Sequence, residues 1–128
     1  MKITVALLCA LVLLCLSLAA AADEIASREK GRIENLIGHI KEMSAEVFIR
    51  NGREYDAGTA ARFLRRKWQV NTEKVRTAED FVEKIASRSS TTGAPYRIRM
   101  KDGTETECGE YLSKLLVSQA PGPPLRNR

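Results

Sequence analysis

The chain has 128 residues, 44% hydrophobic and 29% charged, with 21 lysines and arginines against 16 acids and a net charge of +5. That length suits one small core and excludes a second domain. Aromatic residues make up 5%, too few for the stacking surfaces of a nucleic-acid binder, and so modest a charge excess permits a mild preference for anions without demanding one.

Residues 1–22 read as a secretory leader. Lys2 supplies a positive start, Val5 to Leu18 an apolar run broken by Ser17, and Ala19 to Ala22 a small-residue cleavage zone. A membrane span needs about 20 apolar residues, so a retained anchor is the second choice. Cys9 and Cys15 follow Leu8 and Leu14, which are too large for a lipoprotein signal, and both cysteines leave with the leader. The expected address is therefore the periplasm, or secretion, with no membrane span after cleavage. Removing the leader takes Lys2 alone from the basic count, leaving 20 against 16, a net of +4. Cys108 is then the single thiol, which excludes an internal disulfide framework.

From Ile33, the positions Ile33, Leu36, Ile37, Ile40 and Met43 follow helical spacing, predicting a helix from about Ile25 to Met43. Gly31 and Gly38 each cost about 1 kcal/mol relative to alanine, so this helix needs packing, and fraying is expected before Gly31. Val47 to Tyr55 changes character: Asn51-Gly52 between β-favouring residues predicts a hairpin with a type I′ turn. Asp56 or Thr59 then caps a second helix whose apolar side is Ala60, Ala61, Phe63, Leu64 and Trp68, with Arg62, Arg65, Arg66 and Lys67 on the other.

Thr77-Ala78-Glu79-Asp80 resembles a capping box, and Ala78, Phe81, Val82 and Ile85 form the stripe of a third helix. After a polar loop over residues 87–93, Tyr96 to Lys101 alternates apolar and basic residues, the period of a half-buried strand. Asp102-Gly103 turns the chain into a short return strand over 104–106. A last helix from about Gly109 to Ser118 buries Tyr111, Leu112, Leu115 and Leu116, and Pro121, Pro123 and Pro124 mark a disordered tail over 119–128. The expectation is one α+β domain over 23–118, ordered helix, hairpin, helix, helix, hairpin, helix. Each hairpin alone is marginal, so the two either share a small antiparallel sheet or dock separately onto helices.

The segments Phe48 to Tyr55, Thr77 to Ser87 and Gly93 to Tyr96, in that order, resemble a family of small exported bacterial proteins catalogued as domain of unknown function 5329. The likeness runs from about Ile33 to Leu116. It implies a periplasmic or secreted bacterial protein and carries no activity or catalytic residues to transfer. The chain departs from that pattern at Phe63, where a histidine is expected, and at Ala45-Glu46-Val47, where related chains show a cysteine. Both departures count against chemistry that needs those side chains.

Chemistry is sparse. His39 and Cys108 could form a base and a nucleophile, Cys108 standing at a helix mouth whose dipole lowers a thiol pKa, but no orienting group or oxyanion motif accompanies them. One Cys and one His fall short of a zinc site, so no metal or cofactor is expected. Glu79 and Asp80 suit a helix N-terminus and Glu83 solvent, rather than acid–base work. Two surfaces stand out. Arg97, Arg99 and Lys101 share a strand face, Arg50 and Arg53 flank the first hairpin turn, and Arg62, Arg65 and Arg66 line the second helix. If they converge, they form a site for anionic envelope polymers; otherwise they are a solvated, edge-blunting face. The segment Thr92-Gly93-Ala94-Pro95-Tyr96 also resembles the Ser-Gly-x-x-Tyr loop with which exported inhibitors enter the cleft of lysozyme, a cell-wall-degrading enzyme. Its structural alternative is Gly93 in a helix-to-strand turn with Tyr96 in the core. The reading overall is a non-enzymatic exported module that binds an envelope component, with an inhibitor through Thr92, Gly93 and Tyr96, or a Cys108-dependent enzyme, as alternatives.

Overall fold

A computed structural model describes residues 2–120. Most of the expected disordered tail therefore lies outside the described residues. Helix α1 (Lys2–Lys41) is followed by strands β1 (Val47–Arg50) and β2 (Arg53–Tyr55), helix α2 (Ala57–Gln69) and a short 3-10 turn over Thr72–Lys74. Helix α3 (Ala78–Phe81) runs on into a π-helical turn (Val82–Ala86), and strands β3 (Arg97–Arg99) and β4 (Glu105–Glu107) precede helix α4 (Cys108–Gln119). The result is one α+β domain.

Helix α1 differs from expectation at its start. It is continuous for 40 residues, passing through Gly31 without a break. Leucine and alanine, both good helix formers, make up most of the first 22 residues, and the packing of the next turns outweighs one exposed glycine. Residues 3–28 are all exposed; the apolar window in this stretch is long enough to cross a membrane and none of it is buried, a form compatible with a signal peptide. Burial begins with Ile33, and Leu36, Ile37 and Ile40 complete the stripe.

The two hairpins share one antiparallel sheet, in the order β2-β1-β3-β4. Asn51 and Gly52 take φ of 50° and 75°, the positive pair that a type I′ turn requires. Phe48 lies opposite both Tyr55 and Ile98, so the residues of one pleat face form a row. Phe48 and Ile98 are buried in that row, whereas Ile49, Glu54, Arg97, Arg99, Glu105 and Glu107 occupy the opposite face.

Both helix caps appear in the residues expected. The Thr59 N–H donates to Asp56 Oδ1 at 2.7 Å, and the Asp80 N–H to Thr77 Oγ1 at 3.0 Å. The Asp80 carboxylate also accepts from the Arg76 N–H at 3.0 Å. The buried residues of all four helices, with Phe48, Tyr96 and Ile98, form one apolar cluster. Around it, Glu34 pairs with Arg65 at 2.8 Å, which ties α1 to α2.

Candidate functional site: a cationic pocket beside Tyr96

Helix α2 is amphipathic, and Lys67 stands at the border of its apolar stripe, between Leu64 and Trp68. Its ammonium does not point to bulk solvent. It bends across the helix edge to donate to the Arg88 carbonyl at 2.8 Å and to the Tyr96 hydroxyl at 3.1 Å, and lies 4.9 Å from the centre of the Tyr96 ring. An ammonium has three protons, so one remains for a ligand. Burial, and then the positive charge of Arg50, hold the Lys67 pKa below its ordinary value.

Arg50 reaches the same place from the sheet. It ends β1 on the Phe48 side of the pleat, and its guanidinium stacks 4.1 Å from the Phe63 ring centre and 5.5 Å from that of Tyr55. A guanidinium held over aromatic rings still has five N–H donors in its own plane, a fork suited to planar anions. Phe63 and Tyr96 meet edge to face at 5.8 Å, so the two cations flank an aromatic pair that fixes them. The pocket has a volume of about 360 Å³, and Arg66, Asn71 and Ser89 also line it. No carboxylate does.

The wall opposite α2 is the loop over residues 89–94, tied to the first hairpin. Asn51 donates from Nδ2 to Ser89 Oγ at 3.2 Å and accepts at Oδ1 from the Thr92 hydroxyl at 2.7 Å. Gly93 has φ of 72°, and its N–H closes the turn onto the Ser89 carbonyl at 2.9 Å. Tyr96 is 1% exposed, packed against Phe48 and Phe63. Its side chain is thus an internal part of the pocket floor, not a tip that can enter an enzyme's cleft.

Of the other expected basic residues, Arg66 lines this pocket, while Arg53, Arg62, Arg65, Arg97, Arg99 and Lys101 do not. Arg97 and Arg99 occupy the opposite face of the sheet from Arg50, and Arg99 is neutralised by ion pairs with Glu54 and Glu105. Lys101 sits in the β3–β4 turn, and Arg53 is exposed opposite Arg50 across the first hairpin. The sheet divides the set because residues 97 and 99 share one pleat parity while the Phe48–Ile98 pairing places residue 50 on the other.

Cys108 and His39 do not act on each other. The Cys108 side chain is fully buried, and burial pushes its thiol up to about 12, overriding the helix-mouth effect that would lower it. His39 Nε2 instead lies 2.8 Å from the Tyr111 hydroxyl, joining α1 to α4. Among the described residues, no group of three or more His, Cys, Asp or Glu side chains is placed to hold a metal. A wider cleft of about 550 Å³ lies between α3 and α4, but it is lined by Glu79, Glu83, Glu107 and Glu110 as well as by Arg32 and Arg88. Its mixed charge defines no ligand.

The contribution of Lys67 was hidden in the sequence by its neighbours: within Arg65-Arg66-Lys67 it reads as one more solvated cation. The available signal is its spacing, i+3 from Leu64 and i+4 from Phe63, which places it against the apolar stripe.

Comparison with known proteins agrees with the resemblance drawn from the hairpin and third-helix segments. A protein of Salmonella typhimurium (strain LT2), named "Uncharacterized protein YfeK", is 36% identical over 90 residues, which cover 70% of this chain and 74% of that one. No solved structure matches the chain. The model of a family described as "Family of unknown function (DUF5329)" matches residues 27–120, from the exposed part of α1 to the end of α4, and the chain belongs to that family.

Proposed function

We propose that this domain is a non-enzymatic module, exported to the periplasm, that holds an anionic group of an envelope component in the pocket between Arg50 and Lys67. One observation carries the reading: two cations from different elements are fixed on an aromatic pair and converge on a pocket with no lining carboxylate. Lys67 supplies a point charge with a free proton, Arg50 a planar set of donors, and Asn71 and Arg66 further polar groups. Phosphate and carboxylate groups fit this set. The leader-like start of the chain supports export, and the burial of Cys108 supports a binding role over thiol chemistry.

Titration with inorganic phosphate and with pyrophosphate tests the reading. Binding weakens with added salt, and Arg50→Gln lowers affinity by about tenfold, the scale of one charge-assisted hydrogen bond. The double replacement R97Q/R99Q, on the opposite sheet face, leaves it unchanged. Equal binding by the wild type and Arg50→Gln, or an equal loss in the R97Q/R99Q protein, overturns the assignment.

A further inference from the structure

Arg50 has a second side. The face of the hairpin and α2 next to the cationic pocket carries a slot of about 200 Å³ lined by Phe48, Tyr55, Thr59, Ala60 and Phe63, with Arg50 at its edge. Arg50 and Phe63 border both spaces, so the slot and the cationic pocket are adjoining parts of one surface. Apart from the Thr59 and Tyr55 hydroxyls and Arg50 itself, its walls are hydrocarbon. A volume near 150 Å³ accommodates a benzene ring in an apolar cavity, so this slot has room for an aryl group or a short alkyl segment.

We infer that the ligand is an amphiphilic anion: a phosphate or carboxylate seated between Arg50 and Lys67, with an alkyl or aryl arm laid over Phe63 into the slot. This rests on the anion reading above and adds the substituent. The charge decides the orientation, because an anionic head in the slot would keep Arg50 but lose Lys67 and Arg66, which line only the cationic pocket. An arm in the cationic pocket would cover a lysine proton without satisfying it. The concave form, closed on one side by α2 and on the other by the hairpin, suits one soluble molecule rather than a flat bilayer.

Methyl phosphate and butyl phosphate carry the same headgroup and differ by three methylenes, and neither forms micelles. Isothermal titration of each into the protein, as processed by the expressing bacterium, separates head from arm. Full burial of a methylene is worth about fourfold in affinity, and this open slot is expected to give about half of that free energy, or about twofold for each; butyl phosphate then binds about eightfold more tightly than methyl phosphate. Thr59→Trp, which fills the slot from its rim, abolishes that gain while methyl phosphate binds as before. Equal affinities for the two esters in the wild type overturn the arm and leave the anion site standing. Loss of both ligands' binding in Thr59→Trp also overturns it, since the head would then depend on the slot. Failure of both esters to bind, with phosphatidylglycerol vesicles also unbound, overturns the anion site itself. A protein that ignores butyl phosphate yet binds phosphatidylglycerol vesicles through Arg50 overturns the soluble ligand in favour of a membrane surface.

Discussion

Glu29, on α1, caps the start of α3: its Oε2 accepts the Ala78 N–H at 2.8 Å across 49 positions of sequence. Arg32 holds that carboxylate at 3.0 Å and reaches on to Glu79 at 2.7 Å, so the same corner links α1 to α3. With Thr77 Oγ1 taking the Asp80 N–H, two of the otherwise unpaired donors of α3 are satisfied. The helix is only four residues long before it widens into the π-turn, so its capping matters more than its propensity.

Glu29→Ala removes this long-range cap and is expected to destabilise the protein by about 1–2 kcal/mol, the range for lost caps. Glu29→Gln keeps an acceptor for Ala78 and loses less. Urea unfolding measures both; an alanine variant as stable as wild type shows that water replaces the carboxylate without cost.

Gly109 offers a sharper steric test. A Cβ built there lies 2.4 Å from Ser87 Oγ and 3.1 Å from Ser87 Cβ, so α4 approaches the end of the π-turn more closely than any side chain permits. Ser87 cannot simply turn away, because its hydroxyl donates to the Val82 carbonyl at 2.6 Å. Gly109→Ala is expected to cost about 1–3 kcal/mol, as overpacking does. Ser87→Ala in the same chain removes the nearest contact and recovers part of the loss, which a thermal-melt double-mutant cycle reads as a non-zero coupling.

These residues also show what a sequence conceals. The stripe Ile33, Leu36, Ile37 and Ile40 and the turn Asn51-Gly52 were legible because each rests on a local rule, helical spacing in one case and positive φ in the other. The alternation at Arg97-Ile98-Arg99 correctly identified a strand, yet not which face its arginines would share with Arg50. That depends on the β1–β3 register, a non-local pairing that no local pattern states. Lys67 was missed for a related reason: periodicity assigns a residue to a side of its helix, whereas its ammonium is placed by Arg88 and Tyr96, more than twenty positions away.

Cys108 should behave as a core residue. A thiol whose pKa is pushed up to about 12 carries almost no thiolate at neutral pH, and its full burial blocks reagent access as well. The native protein is therefore expected to resist a thiol-specific disulfide reagent until denaturant is added, then to react in step with unfolding. Cys108→Ser places a hydroxyl in an apolar site and costs about 1–3 kcal/mol, while Cys108→Ala costs less. Fast labelling of the folded chain would return the thiol to the list of reactive groups.

The pH dependence of anion binding follows from the environment of Lys67. Burial and Arg50 lower its pKa in the folded protein, so the unfolded chain binds the proton more tightly. Between the lowered value and the ordinary 10.5, the unfolded state carries more protons, and stability contributed by this group rises with pH through that window. Ligand binding runs the opposite way, because an anion needs the ammonium. Affinity for sulfate, whose own charge is constant over this range, is expected to fall as pH climbs through the lowered Lys67 pKa, below the alkaline limit of an ordinary lysine. Saturating sulfate should move that midpoint upward, since the bound anion favours the charged form. Lys67→Arg keeps the charge through the same range and removes the alkaline fall, whereas Lys67→Met weakens binding at every pH. A wild-type sulfate affinity that is flat with pH, matched by an unaffected Lys67→Met variant, places the anion away from Lys67.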